Sequence, residues 1–327
     1  MNRKERVLAA LRGEKTDRVP VSFWRHFRDE TGKPPMGRKS AQYHLDFFRE
    51  TGVDFVKIMY DGFTAPFAFE KVETVPDLVH AVASGAKEDY VRDLYERAAW
   101  TCELLGKEVC LYFNIFSSFM LLRKIGDGRL AQLLKKDKGS VLGALEEITA
   151  TVCRAEEKIL RDTDCLGMFV CFQGAEENRF SKEEYEEIVR PADLALLETA
   201  NRHSQYNMAH FCAWDGNKND LSRWKDYPAC AVNWAIYVDG LTLPEGKRYF
   251  GGRPVLGGFD NRVGSLLYTG TKEEIQTETR RILQEYRDAF GNTKGLILGA
   301  DCSILPPFEL ERFRWVREAV WEEEERG

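Results

Sequence analysis

Two hydrophobic patterns alternate along the chain. Short apolar runs rich in β-branched and aromatic residues occur at Val19–Trp24, Asp54–Tyr60, Val109–Ile115, Cys165–Phe172, Gln205–Phe211, Ala229–Ile236, Pro254–Gly258 and Gly295–Gly299. Each has the length and composition of a buried strand. Between them lie amphipathic stretches of helical period, clearest at Ser40–Glu50, Lys87–Leu105, Leu142–Leu160, Ser181–His203, Lys272–Phe290 and Pro307–Glu323, with a shorter one at Leu221–Tyr227. Ahead of the first strand, Met1–Gly13 reads as a charged helix, with Asn2 and Glu5 at capping-box spacing and Gly13 as its stop. Eight strand-and-helix units predict an α/β fold, a (β/α)8 TIM barrel, as a single domain over residues 1–327 with an extra N-terminal helix. The alternative, an open doubly wound sheet, would carry a glycine-rich phosphate loop after its first strand. Here that segment is Arg25-His26-Phe27-Arg28-Asp29-Glu30, and no G-x-G-x-x-G or Walker A sequence occurs anywhere.

Charge and composition narrow the partners. Among 327 residues, 47 Lys and Arg are scattered among 53 Asp and Glu, a net charge of −6. With no basic stripe, nucleic acid is not expected as a partner. The long uncharged stretch Val109–Leu122 contains Asn114, Ser117 and Ser118 and stops at Arg123, short of the roughly 18 apolar residues a membrane span needs. The N-terminus has no apolar signal core, and Glu5 and Glu14 argue against a transit peptide. The expected address is therefore cytoplasmic, where the eight cysteines are thiols or metal ligands rather than disulfides.

In a barrel, functional residues sit where strands end. His210 and Cys212 end the fifth predicted strand, and Cys302 follows the eighth. Residues i and i+2 of an extended segment point to the same side, so His210 and Cys212 can aim at one point, and barrel closure brings Cys302 to the same rim. One His and two Cys form a known ligand set for catalytic zinc, with Asp301 or Glu176 as a candidate fourth ligand. The competing reading makes these cysteines small buried hydrophobes. The other cysteines, in helices or near strand interiors, read as core.

Asp61, in Tyr60-Asp61-Gly62-Phe63, places a carboxylate at the end of the second strand. It is either a titratable site group or the start of a turn. After the first strand, Trp24-Arg25-His26-Phe27-Arg28 puts two guanidiniums near the mouth, suited to substrate carboxylates or phosphates, or simply paired with Asp29 and Glu30. Gln173, Glu176, Glu177 and Asn233-Trp234 are further rim candidates. Glu177 also fits the solvated acidic face that continues to Glu187, and Glu322–Glu325 reads as a solvated helix end.

Taken with these motifs, the sequence resembles the superfamily of uroporphyrinogen decarboxylase and the zinc-dependent methyltransferases that act on corrinoid proteins. The landmarks are Arg3-Lys4-Glu5-Arg6-Val7 to Gly13, Asp17-Arg18-Val19-Pro20-Val21, Gly52-Val53-Asp54, Val255-Leu256-Gly257-Gly258-Phe259-Asp260, and Gly295-Leu296-Ile297-Leu298-Gly299 leading into Cys302 and Pro306. The resemblance implies the same barrel. Of the decarboxylase pattern, Asp61 and Arg25 match, but Gln-Ala-Gly is missing after Arg25, no Tyr occurs in Ile115–Lys124, and Ala300 stands where a histidine belongs. The methyltransferase pattern of His-x-Cys and a distant Cys holding zinc matches His210, Cys212 and Cys302, although Cys212-Ala213-Trp214-Asp215-Gly216-Asn217 replaces the usual Cys-Gly-Asn.

By this resemblance Trp24, Arg25 and His26, with Glu176 and Asn233 as rim candidates, line the substrate pocket, and Asp61 orients or protonates the substrate. A methyl group would pass between a small-molecule donor or a thiol and a corrinoid protein docked over the mouth. Two alternatives predict differently. A metal-free uroporphyrinogen decarboxylase needs Asp61 and an arginine clamp but no zinc. A non-catalytic tetrapyrrole- or corrinoid-binding barrel needs neither Asp61 nor the cysteines.

Overall fold

The computed structural model describes residues 1–62 and 66–326, with side chains described to residue 323. Phe63 and the side chains of Glu324 and Glu325 lie outside that range. Seven strands, β1 (Phe55–Ile58), β2 (Cys110–Phe116), β3 (Gly167–Phe172), β4 (Met208–Phe211), β5 (Ala231–Trp234), β6 (Val255–Phe259) and β7 (Leu296–Ala300), form one sheet in sequential order. Every neighbouring pair is parallel, and helices follow the strands as crossovers, so the sheet curls into a half-barrel with its side chains buried. Among the described residues, no helix is long and apolar enough to cross a membrane.

The first expected strand is the main departure. Val19–Trp24 is buried and extended but forms no regular strand, only isolated parallel bridges of Val21 to Leu298 and Arg25 to Ile304. It nevertheless bonds to both edges of the sheet: Asp54 N–H donates to Val21 O at 2.8 Å, Ser22 N–H to Leu298 O at 2.9 Å, and Leu298 N–H to Pro20 O at 2.9 Å. Pro20 has no N–H to give, and the Ser22 hydroxyl donates to Phe55 O at 2.7 Å, so the ladder is interrupted. Gly299 permits this approach, since a Cβ there would stand 2.6 Å from Ser22 O.

Helix expectations differ at the ends. Lys87–Leu105 and Lys272–Phe290 are helices with those bounds, and the N-terminal helix Arg3–Leu11 carries the Asn2/Glu5 capping box. Ser181–His203 is two helices, Lys182–Ile188 and Arg190–Asn201, because Pro191 is accommodated in the first turn of a new helix. The Leu221–Tyr227 stretch is a 3-10 turn at Leu221–Trp224. The last helix begins at Glu311 rather than Pro307, because the chain first runs back to bridge Ile304 to Arg25.

His44, on the helix Gly37–Thr51, fixes the end of β1. Its Nδ1–H donates to Ser40 O at 2.7 Å, and its Nε2 accepts from Met59 N–H at 2.9 Å. That arrangement requires a neutral ring, and burial, helped by the nearby Arg97 charge, pushes the His44 pKa down from 6.5 to about 4. The unfolded chain therefore takes up this proton first. The stabilisation is complete above pH 6.5 and lost as pH falls to about 4, worth about 3 kcal/mol. Urea unfolding at both pH values should show this loss in wild type and a smaller one in His44→Gln. An equal loss in the variant would assign the titration to another group.

Candidate active site

The carboxyl ends of the strands surround a cavity of about 360 Å³ lined by His26, Lys57, Asp61, Cys171, His210, Cys212 and Cys302, among others. A larger open cleft of about 960 Å³ lies on the outside, beside the residues that lead into β5 and β6, at the opposite end of the strands. It contains no cysteine or histidine.

Register explains how the first cavity is built. Cys171, His210 and Asn233 are partners across β3, β4 and β5. In a parallel sheet, residues so paired project on one face. Cys212 lies one residue past β4 but stays extended, its N–H donating to Phe172 O at 3.0 Å, so its side chain follows that of His210. Asp301 N–H continues the ladder from β7 to Phe259 O at 2.9 Å, and Cys302 comes next.

The ligand atoms of His210, Cys212 and Cys302 all lie within 4.8 Å of one another, the only such group of three or more among the described residues. Cys302 Sγ is 3.4 Å from His210 Nε2. Asn233 decides the tautomer: its amide nitrogen donates to Leu256 O at 2.8 Å and Ala300 O at 3.2 Å, so its oxygen, 2.5 Å from His210 Nδ1, accepts a hydrogen from that ring. Nε2 thus keeps its lone pair and faces the thiols. The two thiols behave as a pair. Hydrogen bonding to Cys212, with His210 and Lys57 nearby, holds Cys302 well below the ordinary thiol range, while the same bond and burial push Cys212 up.

Asp61 and His26 both line the cavity, but they are bonded to each other: His26 Nδ1 lies 2.8 and 3.0 Å from the two carboxylate oxygens. Arg97 holds the turn below them through the carbonyls of Met59, at 3.1 Å, of Asp61 and of Gly62. Asp61 is thus placed to orient His26 while it lines the cavity itself.

Of the other expected mouth and rim residues, Arg28 and Gln173 line the cavity, the Gln173 amide donating to Cys212 Sγ at 3.6 Å, whereas Trp24, Arg25, Glu176, Glu177, Asn233 and Trp234 lie outside its lining. Trp24 is buried beneath it, its ring against Phe169. Arg25 turns away, donating to His26 O at 3.3 Å and Phe308 O at 3.5 Å, and burial lowers its pKa. Glu176 is buried in an ion-pair network, accepting from Arg123 and from Arg179, each at 2.8 Å. Asn233 is the partner of His210. Neither candidate fourth ligand belongs to the His210, Cys212 and Cys302 group, and Asp301 instead accepts Tyr237 N–H at 3.0 Å.

Among the cavity residues that escaped the sequence reading, Cys171 and Lys57 carry reactive or charged groups. Cys171, expected in the core, lines the cavity and donates to Asn114 Oδ1 at 3.0 Å. Lys57 lies in the apolar run of β1, and a charge inside such a run is the signal that marks it.

Comparisons follow the geometry. A search of curated proteins finds no match. A methyltransferase from Methanosarcina mazei superposes with a TM-score of 0.77 at 16% identity, covering 98% of this chain and 99% of that one, which shows a shared fold. A ribulose-1,5-bisphosphate carboxylase/oxygenase from Pyrococcus horikoshii, at 14% identity over 94% of this chain and 58% of that one, reaches a TM-score of only 0.34 and carries no argument. The uroporphyrinogen decarboxylase (URO-D) family profile matches residues 56–323. With most of its length matched in this way, the chain belongs to the uroporphyrinogen decarboxylase family.

Proposed function

We propose that the protein is a zinc-dependent methyltransferase that moves a methyl group between a small molecule or thiol and a corrinoid carried by a partner protein. The observation that carries this reading is the convergence of His210 Nε2 with the Cys212 and Cys302 sulfurs. The donor set fits zinc: tetrahedral ligands at about 2.0–2.3 Å from the metal lie about 3.3–3.8 Å apart, close to the 3.4 Å between Cys302 and His210. In this reading the segment Val19–Trp24 completes an eight-stranded barrel, and the fourth metal position belongs to substrate.

When bound, zinc supplies Lewis acidity that keeps a substrate sulfur deprotonated at neutral pH or polarises an oxygen leaving group. The protein's own groups do the remainder. Asn233 fixes the His210 tautomer, and the paired thiols of Cys212 and Cys302 give up their protons. Asp61 accepts from His26 Nδ1, so His26 presents its other ring nitrogen as an acid or base at the cavity wall. The fold shared with the Methanosarcina methyltransferase supports this reading. So does the placement of Arg25, which matches the decarboxylase pattern but donates to two carbonyls outside the cavity lining and leaves Arg28 as the arginine on the wall.

Protein purified without added metal should contain about one zinc per chain, and Cys302→Ser should lose it while Cys212 becomes reactive to thiol reagents. Zinc-free wild type that resists anaerobic reconstitution would overturn the reading. Asn233→Ala should keep the site but weaken zinc affinity about 10- to 100-fold, measured by competition with a chelator. Unchanged affinity would remove Asn233 from the metal site.

A further inference from the structure

Lys57 stands inside β1, between Val56 and Ile58, at 3% exposure. Its ammonium is 4.0 Å from the centre of the Phe169 ring, 4.8 Å from that of Trp24 and 3.9 Å from Cys171 Sγ, and the residue lines the cavity. Among the described residues no carboxylate forms an ion pair with it. Burying an unpaired ammonium is costly, and ring faces and a weakly accepting sulfur offset only part of that cost. Asn114, which also lines the cavity, already accepts from Cys171 through its Oδ1.

The charges facing the cavity sharpen the point. Asp61, the carboxylate on its wall, accepts a hydrogen bond from His26 Nδ1 at 2.8 Å. Arg28, the other cation on the wall, donates to the Phe27 carbonyl at 3.0 Å. An amine held this way, on a residue that lines a cavity beside a ligand cluster, is arranged to receive an anion.

We propose that Lys57 binds the negatively charged end of the substrate: the cavity takes a small carboxylate-bearing molecule, with its carboxylate on the Lys57 ammonium and its reacting atom toward His210, Cys212 and Cys302. The inference rests on the reading of this cavity as the substrate site. It adds the class of substrate and a specificity-determining residue.

The test compares 3-mercaptopropionate with its uncharged analogue 3-mercaptopropionamide by calorimetric titration of the full chain, with zinc content measured on the same samples. Wild type should bind the carboxylate about tenfold or more tightly than the amide. Lys57→Met should bring the ratio to about one while amide binding and zinc content persist, and Lys57→Arg should keep a preference for the carboxylate. A wild-type ratio near one overturns the proposal, as does a Lys57→Met variant that keeps the wild-type ratio. The latter would assign the preference to Arg28 or to the metal. Should Lys57→Met fail to fold, wild type and Lys57→Arg still decide, because an arginine variant without the preference also overturns it. Absence of zinc strikes the metal reading alone, since the ratio of the two affinities is read independently of it.

Discussion

A single carboxylate, Asp54, ties the architecture together at the start of β1. It is fully buried and accepts from Arg6 at 2.9 Å, from Arg18 at 2.7 and 2.8 Å, and from Val21 N–H at 2.8 Å. Two buried guanidiniums and a backbone donor satisfy its oxygens, which is the condition under which a buried charge is tolerated. The consequence is positional. Through Asp54 the N-terminal helix, the Asp17-Arg18 turn and the extended segment after it are all anchored to the first strand. That anchorage carries Trp24 under the cavity and His26 onto its wall.

The same economy governs the site. Near the metal-type cluster, the hydrogen bonds a polar group already makes fix what it can still offer. The Asn233 amide nitrogen is held by two carbonyls, so its oxygen must serve His210, and His210 must then present Nε2. Asp61 is spent on His26, and Glu176 on two arginines, which stiffens the loop after β3 against the segment around Asp127 and Asp215. Lys57, in the cavity lining, has no ion pair among the described residues and only soft neighbours. It is the group around which a substrate's charge is best accommodated.

Much of this was legible in the chain. Periodicity located all seven regular strands and the long helices, because parallel strands buried on both faces read as continuous apolar runs. The i, i+2 spacing of His210 and Cys212 was readable because one extended segment carries both. What periodicity could not resolve was where hydrogen bonds are withheld. Pro20 breaks the ladder of the first segment, and Pro191 splits one helical stretch into two.

By itself the sequence determined the α/β alternation, the family landmarks and the identity of three residues with the chemistry of a metal site. Only the tertiary structure decided which of the other polar residues face the cavity. Cys302 is 92 residues from His210, and curling of the sheet brings them together. Arg25 and Glu176 were credible pocket residues by spacing, yet backbone carbonyls and arginines took their charges elsewhere. Asn233 and Lys57 gained their roles from cross-strand register and from the cavity beside them. The physical reason is that spacing along the chain constrains which way a side chain starts, whereas its partners, and so its chemistry, are set by long-range packing and competition for hydrogen bonds.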